Sequence, residues 1–88
     1  IIILDETSHP LRVQSGSIAG LANATTYPIY SARGIFSKEQ IAPIIQRGLG
    51  RNLPTVRLVS IEQTTNFGGG AIWSLEQLQS VCNFAHDN

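Results

Sequence analysis

The sequence is poor in the residues that most readily declare a function. Its 88 residues hold no methionine, one cysteine (Cys82), one tryptophan, one lysine (Lys38) and two histidines (His9 and His86). A single cysteine excludes an intrachain disulfide framework and fits a reducing compartment, so a cytoplasmic location is expected. The two histidines and the cysteine lie far apart in sequence, with none of the short spacings that mark a metal site, so no metal is expected. No apolar run approaches the roughly 20 residues of a membrane span. The apolar stretch Ile1 to Leu4 is too short, and lacks the basic flank, to be a signal peptide. Six basic and six acidic side chains cancel to a net charge of zero. There is thus no electrostatic reason to invoke nucleic acid or an anionic membrane.

What is present alternates in character along the chain. Ile1 to Leu4 is wholly apolar and mostly β-branched, the pattern of a strand covered on both faces. Polar Asp5 to His9 follows, and Pro10 suits the first turn of a helix. Leu11 to Ala24 reads either as a helix weakened by Gly16 and Gly20, each costing about 1 kcal/mol relative to Ala, or as a loose, partly coiled segment. Thr25 to Tyr30 is rich in β-branched and aromatic residues and predicts a strand, with Pro28 favouring a sheet edge. Arg33-Gly34 predicts a turn. Ser37 and Gln40 form a capping box before a helix with an Ile41, Ile44, Ile45 stripe, in which Pro43 predicts a short or kinked helix. Gly48 and Gly50 end it, and Arg51 to Pro54 predict a loop. Thr55 to Glu62 is the strongest strand pattern, and it leads into the polar, glycine-rich stretch Gln63 to Gly70. Ser74 and Gln77 cap a last helix whose expected buried face is Leu75, Leu78, Val81, Cys82 and Ala85.

The order strand, helix, strand, helix, strand, helix predicts an α/β domain with a mostly parallel sheet and crossover helices. No repeat or linker divides the chain. The bare apolar strand at its start and the helix at its end predict a single partial domain, a slice of a larger protein. Ligands of open α/β sheets bind beyond the carboxyl ends of the strands. Two polar clusters fall there: Asp5 to His9, and Glu62 to Asn66.

These clusters also carry a family resemblance. Ile61-Glu62-Gln63-Thr64-Thr65-Asn66, then Gly68-Gly69-Gly70 and Trp73-Ser74-Leu75-Glu76-Gln77-Leu78, resembles the "LENTHN…GG…PLEEL" segment of the threonine aldolases. Ser8-His9 is similar to that family's "A-H" or "S-H" pair, and Arg33 to Ile41 resembles its "GxLTPEDI" turn and helix start. The resemblance spans nearly the whole chain. It implies part of the large domain of a fold-type-I (aspartate aminotransferase-like) enzyme of the β-eliminating lyase and threonine aldolase group. Such enzymes use pyridoxal 5′-phosphate (PLP) and cleave β-hydroxy-α-amino acids, such as L-threonine or L-allo-threonine, to glycine and an aldehyde. It also implies a small-molecule amino-acid substrate and a homodimer or homotetramer.

Residue by residue, the resemblance implies that His9 lies over the cofactor ring and is the candidate base for the substrate hydroxyl. An imidazole suits that task because it titrates near neutral pH. Asn66 matches an asparagine near the cofactor's phenolic oxygen; as a residue it is equally a turn former. Thr65 stands where many members have a histidine that contacts the substrate hydroxyl. Threonine can donate a hydrogen bond but cannot act as a base near neutral pH, which leaves the substrate open. Glu62 matches a family glutamate and reads as a strand-end structural contact.

Ser15-Gly16-Ser17 looks like the family's "SGT" phosphate loop, but it follows the histidine instead of preceding it, so it reads as a turn or helix irregularity. Gly68 to Gly70 reads as a flexible connection. Lys38, just after a helix cap, is not the expected lysine that joins the cofactor covalently. That lysine, the phosphate loop and the aspartate that pairs with the pyridine nitrogen are expected outside this sequence, so the 88 residues alone are expected to be inactive. The alternatives are another PLP-dependent lyase of the same fold, β-eliminating or phenylserine-cleaving, and a non-catalytic α/β interaction module.

Overall fold

A computed structural model of the chain describes residues 1–48, 52 and 54–88. Strand β1 (Ile2–Asp5) leads through two short helices, α1 (His9–Arg12) and α2 (Ser17–Ala22), to strand β2 (Thr26–Ile29). A single 3-10 turn (Ala32–Gly34) precedes helix α3 (Lys38–Arg47); strand β3 (Leu58–Val59) and helix α4 (Leu75–Asp87) follow. The strands form one parallel sheet in the order β2-β1-β3. The chain is therefore α/β, as its alternation of patterns predicts.

The central place of β1 follows from its composition. Ile3 and Leu4 point to opposite faces, as neighbours on a strand must, yet both are fully buried. Only a strand with both neighbours and both faces covered permits that. β2 takes an edge, where Pro28, paired with Leu4, needs no N–H for a further neighbour.

The α1–α2 region resolves the choice between helix and coil by breaking in the middle. Ser15 (φ 50°) and Gly16 (φ 76°) both adopt left-handed backbone between the two helices. The Ser15 to Ser17 segment is thus the helix irregularity that its sequence predicts. Helix α3 starts at its expected cap, with the Gln40 side-chain carbonyl accepting from Ser37 N–H at 2.9 Å. It is short and runs past Pro43, which is exposed. Gly48 is its C-cap residue. The expected stop at Gly50 and most of the expected loop Arg51 to Pro54 lie outside the described residues.

Two expectations need correction. The strand expected over Thr55 to Glu62 is paired only at Leu58–Val59. Its flanks still bond to β1, through Arg57 N–H to Ile1 O (3.0 Å) and Ser60 N–H to Ile3 O (2.8 Å). β1 offers only four residues to pair with, so the ladder cannot extend as far as the side-chain pattern does. Leu75 was expected on the buried face of α4 but is 69% exposed, because the helix begins before it reaches the core. Val81 is buried, and Leu78 and Phe84 pack against the core from the same helix.

The core gathers Ile3, Ile29, Phe36, Ile41, Ile45, Trp73 and Val81, joining the sheet to α3 and α4. Phe36 and Trp73 meet edge to face, ring centroids 4.9 Å apart at 86°. That geometry contributes about 1 kcal/mol beyond area burial. No helix among the described residues is long and apolar enough to cross a membrane.

Candidate active site

The carboxyl ends of all three strands open into loops, and those loops are tied together by side chains. Asp5, the last residue of β1, is 4% exposed and its carboxylate accepts three hydrogen bonds. Two come from within its own loop, from Thr7 N–H (2.8 Å) and the Thr7 hydroxyl. The third comes from Ser31, just beyond β2. Glu6 N–H adds a backbone bond to Ile29 O at 2.9 Å. The loop after β1 is thereby fixed against the end of β2.

The loop after β3 reaches the same place. Glu62 Oε1 accepts from the backbone N–H of His9 at 3.3 Å, joining residues 53 apart in sequence. The two polar clusters expected at the carboxyl ends of the strands do converge. His9 opens α1 and is exposed, as a side chain that meets a ligand must be. Beside it, the Ser8 hydroxyl is buried without a hydrogen-bond partner among the described residues.

Thr65 and Asn66 lie in a second, tighter structure. Thr65 N–H donates to Ala71 O (3.1 Å) and Gly70 N–H donates to Thr65 O (2.8 Å), closing a small antiparallel bridge. The Thr65 hydroxyl donates to Arg33 O at 2.8 Å, and Arg33 Nε donates to Gly68 O at 2.9 Å. Thr65 is only 1% exposed. The hydroxyl thereby ties this loop to the Ala32–Gly34 turn. Asn66 is exposed at the tip of that loop, and its carbonyl accepts from Gly69 N–H at 3.2 Å.

The glycines after it are not a slack connection. Gly69 and Gly70 both have φ of 74°, and a Cβ on Gly68 would lie 2.1 Å from Arg33 O. They form a defined turn that lets two backbones approach closely.

The family model for the beta-eliminating lyases matches residues 1–88, the entire sequence. The chain belongs to the beta-eliminating lyase family. Members of this family generally use PLP and act as lyases on small amino-acid substrates. The three-stranded parallel sheet is consistent with part of the fold-type-I domain of such lyases. No curated protein matches the chain.

Within this beta-eliminating lyase segment, the polar strand ends are the candidate site. A cavity of about 240 Å³ lies elsewhere, between β3 and α4, with Val59, Ile61, Val81 and Cys82 in its walls. It holds none of the residues of the converging loops. Lys38 is exposed in the first turn of α3. Among the described residues no cluster of three or more His, Cys, Asp or Glu could hold a metal ion. Sequence reasoning missed Ser31, whose only signal is spatial, since it meets Asp5 across 26 residues. It also missed the partner of Glu62.

Proposed function

We propose that this chain forms the cofactor-facing strand ends of a threonine-aldolase-like lyase, within the PLP-binding large domain. The reaction would split β-hydroxy-α-amino acids, such as L-threonine or L-allo-threonine, into glycine and an aldehyde. The observation that carries the proposal is the placement of His9: exposed, at the end of the central strand, and anchored from the loop after β3. The Ser8-His9 pair and the Glu62 to Asn66 segment, which suggest an aldolase by resemblance, are the segments that flank this point.

The residues present suit PLP in part. The exposed imidazole of His9 offers a flat face on which an aromatic ring can rest. Asn66, exposed on a neighbouring loop, offers an amide N–H for the cofactor's phenolic oxygen. Lys38, on α3, is not among these loops. When bound, PLP supplies an electron sink for the negative charge left at the substrate's α-carbon. The chain's own contribution is proton transfer: the His9 imidazole takes the proton from the β-hydroxyl as the carbon–carbon bond breaks. Asp5 and Glu62 hold the loop that carries it.

One observation favours a second reading. The Thr65 hydroxyl donates its one proton to Arg33 O and is 1% exposed, so in this arrangement it does not donate to a substrate hydroxyl. That favours a family reaction without such a contact, for example β-elimination from an amino acid with a leaving group at Cβ. Incubating the full-length protein and PLP with L-threonine, L-allo-threonine, phenylserine and L-serine, and identifying the products, separates the two. Acetaldehyde or benzaldehyde formed with glycine supports the aldolase, with His9→Ala lowering kcat at least 100-fold, the lower end of general-base contributions of about 10²–10⁴. Pyruvate and ammonia without aldehyde, or an undiminished His9→Ala variant, would overturn it.

A further inference from the structure

The start of a helix leaves backbone N–H groups without intrahelical partners, and the N-cap side chain normally accepts from one of them. At α1 the cap residue is Ser8, which makes no such bond. Its hydroxyl is buried and unpaired among the described residues. The N–H of His9, the first helical residue, is satisfied by the Glu62 carboxylate, from a different strand end. Both ends of this contact are held in register. Val59 pairs with Ile3, and Ser60 N–H donates to Ile3 O, so the segment leading to Glu62 is aligned with the strand that leads to His9. On the other side of His9, the Asp5 carboxylate fixes Thr7, and Asp5 O accepts from Ser8 N–H at 3.0 Å.

We infer that Glu62 is the positioning residue for His9: it acts on the reaction only by fixing the backbone from which the imidazole projects. The inference deepens the reading of His9 as the base and rests on it. A carboxylate suits the role because a bond to a charged acceptor is stronger than one between neutral groups. The 3.3 Å length and contact with solvent keep the effect modest.

The test uses the full-length protein with Glu62→Ala, Glu62→Gln, His9→Ala and the Glu62→Ala/His9→Ala double variant. Amide hydrogen exchange at His9 needs neither cofactor nor turnover. Glu62→Ala should speed it by about fivefold, through loss of a long, solvent-exposed charge-assisted bond, while the amide oxygen of Glu62→Gln keeps most of the protection. In turnover, Glu62→Ala should lower kcat/KM by about fivefold in the parent and not at all in the His9→Ala background, with Glu62→Gln recovering most of the loss. Unchanged exchange at His9 in Glu62→Ala would overturn the inference. So would an equal loss in both backgrounds, which would show that Glu62 acts independently of His9. If His9→Ala keeps full activity, the reading of His9 as base fails, while exchange still decides whether Glu62 holds that residue.

Discussion

Replacing Gly68 by alanine should be the most damaging single-methyl change in the loop that follows β3. A Cβ at this position would lie 2.1 Å from both Arg33 O and Thr65 Oγ1, and 2.7 Å from the Arg33 carbonyl carbon. The neighbours cannot swing aside. Two of these atoms are backbone, and the third belongs to a side chain 1% exposed and bonded to Arg33 O at 2.8 Å. Overpacking of this kind costs about 1–3 kcal/mol. Separating Thr65 from Arg33 removes a hydrogen bond of about 1 kcal/mol. The backbone of Gly68 lies outside the left-handed region, so alanine also restricts the unfolded chain, an offset of about 0.4–1 kcal/mol. The net loss is about 1–3.5 kcal/mol, with its centre above 2. Two other glycines separate crowding from backbone conformation. Gly70 has open space around it but a φ of 74°, so Gly70→Ala should cost about 1–2 kcal/mol through left-handed strain alone. Gly20 lies in α2 with open space and no positive φ, and Gly20→Ala should stabilise by up to about 1 kcal/mol. Urea unfolding of the full-length protein, compared through midpoints at constant slope, measures all three. The reasoning is refuted if Gly68→Ala is no more destabilising than Gly70→Ala.

Three further outcomes can be checked in the same assay. Ser31→Ala should cost about 1–3 kcal/mol, because it removes a donor from the buried Asp5 carboxylate; a smaller loss would mean that Thr7 alone satisfies that group. Phe36→Ala should cost about 3–5 kcal/mol, since Phe36 is 2% exposed and is the edge-to-face partner of Trp73, and should shift Trp73 emission; an unchanged spectrum would contradict the packing. Hydrogen bonds from its own backbone N–H and from the Ser37 side chain hold the Glu39 carboxyl below the usual glutamate range. A lowered folded-state pKa contributes stability above the unfolded value and loses it as pH falls through the folded one. Glu39→Gln should therefore be less stable than the parent at neutral pH and equal to it in acid, and a difference that persists in acid would refute this.

What could be read from the sequence divides along a physical line: the distance over which the deciding interaction acts. Ser37 with Gln40 and Ser74 with Gln77 are separated by three residues, and both helix starts stand where those pairs place them. The covering of β1 on both faces follows from four adjacent apolar residues, and the edge position of β2 from one proline. Contacts of long separation leave no such mark. The Thr65 hydroxyl finds Arg33 O across 32 residues, a buried contact that nothing in the neighbouring sequence marks. Gly68 to Gly70 looks slack in sequence because glycine is conformationally permissive. Here Gly69 and Gly70 adopt left-handed backbone and Gly68 requires a missing Cβ, the last a condition set by Arg33 and Thr65 and not by the glycine itself. The candidate site follows the same division. Its two polar clusters were visible as strand-end loops, because strand ends are local features. The bond that joins them through His9 and Glu62 depends on the register of β3 against β1, which exists only once the sheet has formed. A substitution that shifts that register should therefore displace His9 without touching either loop.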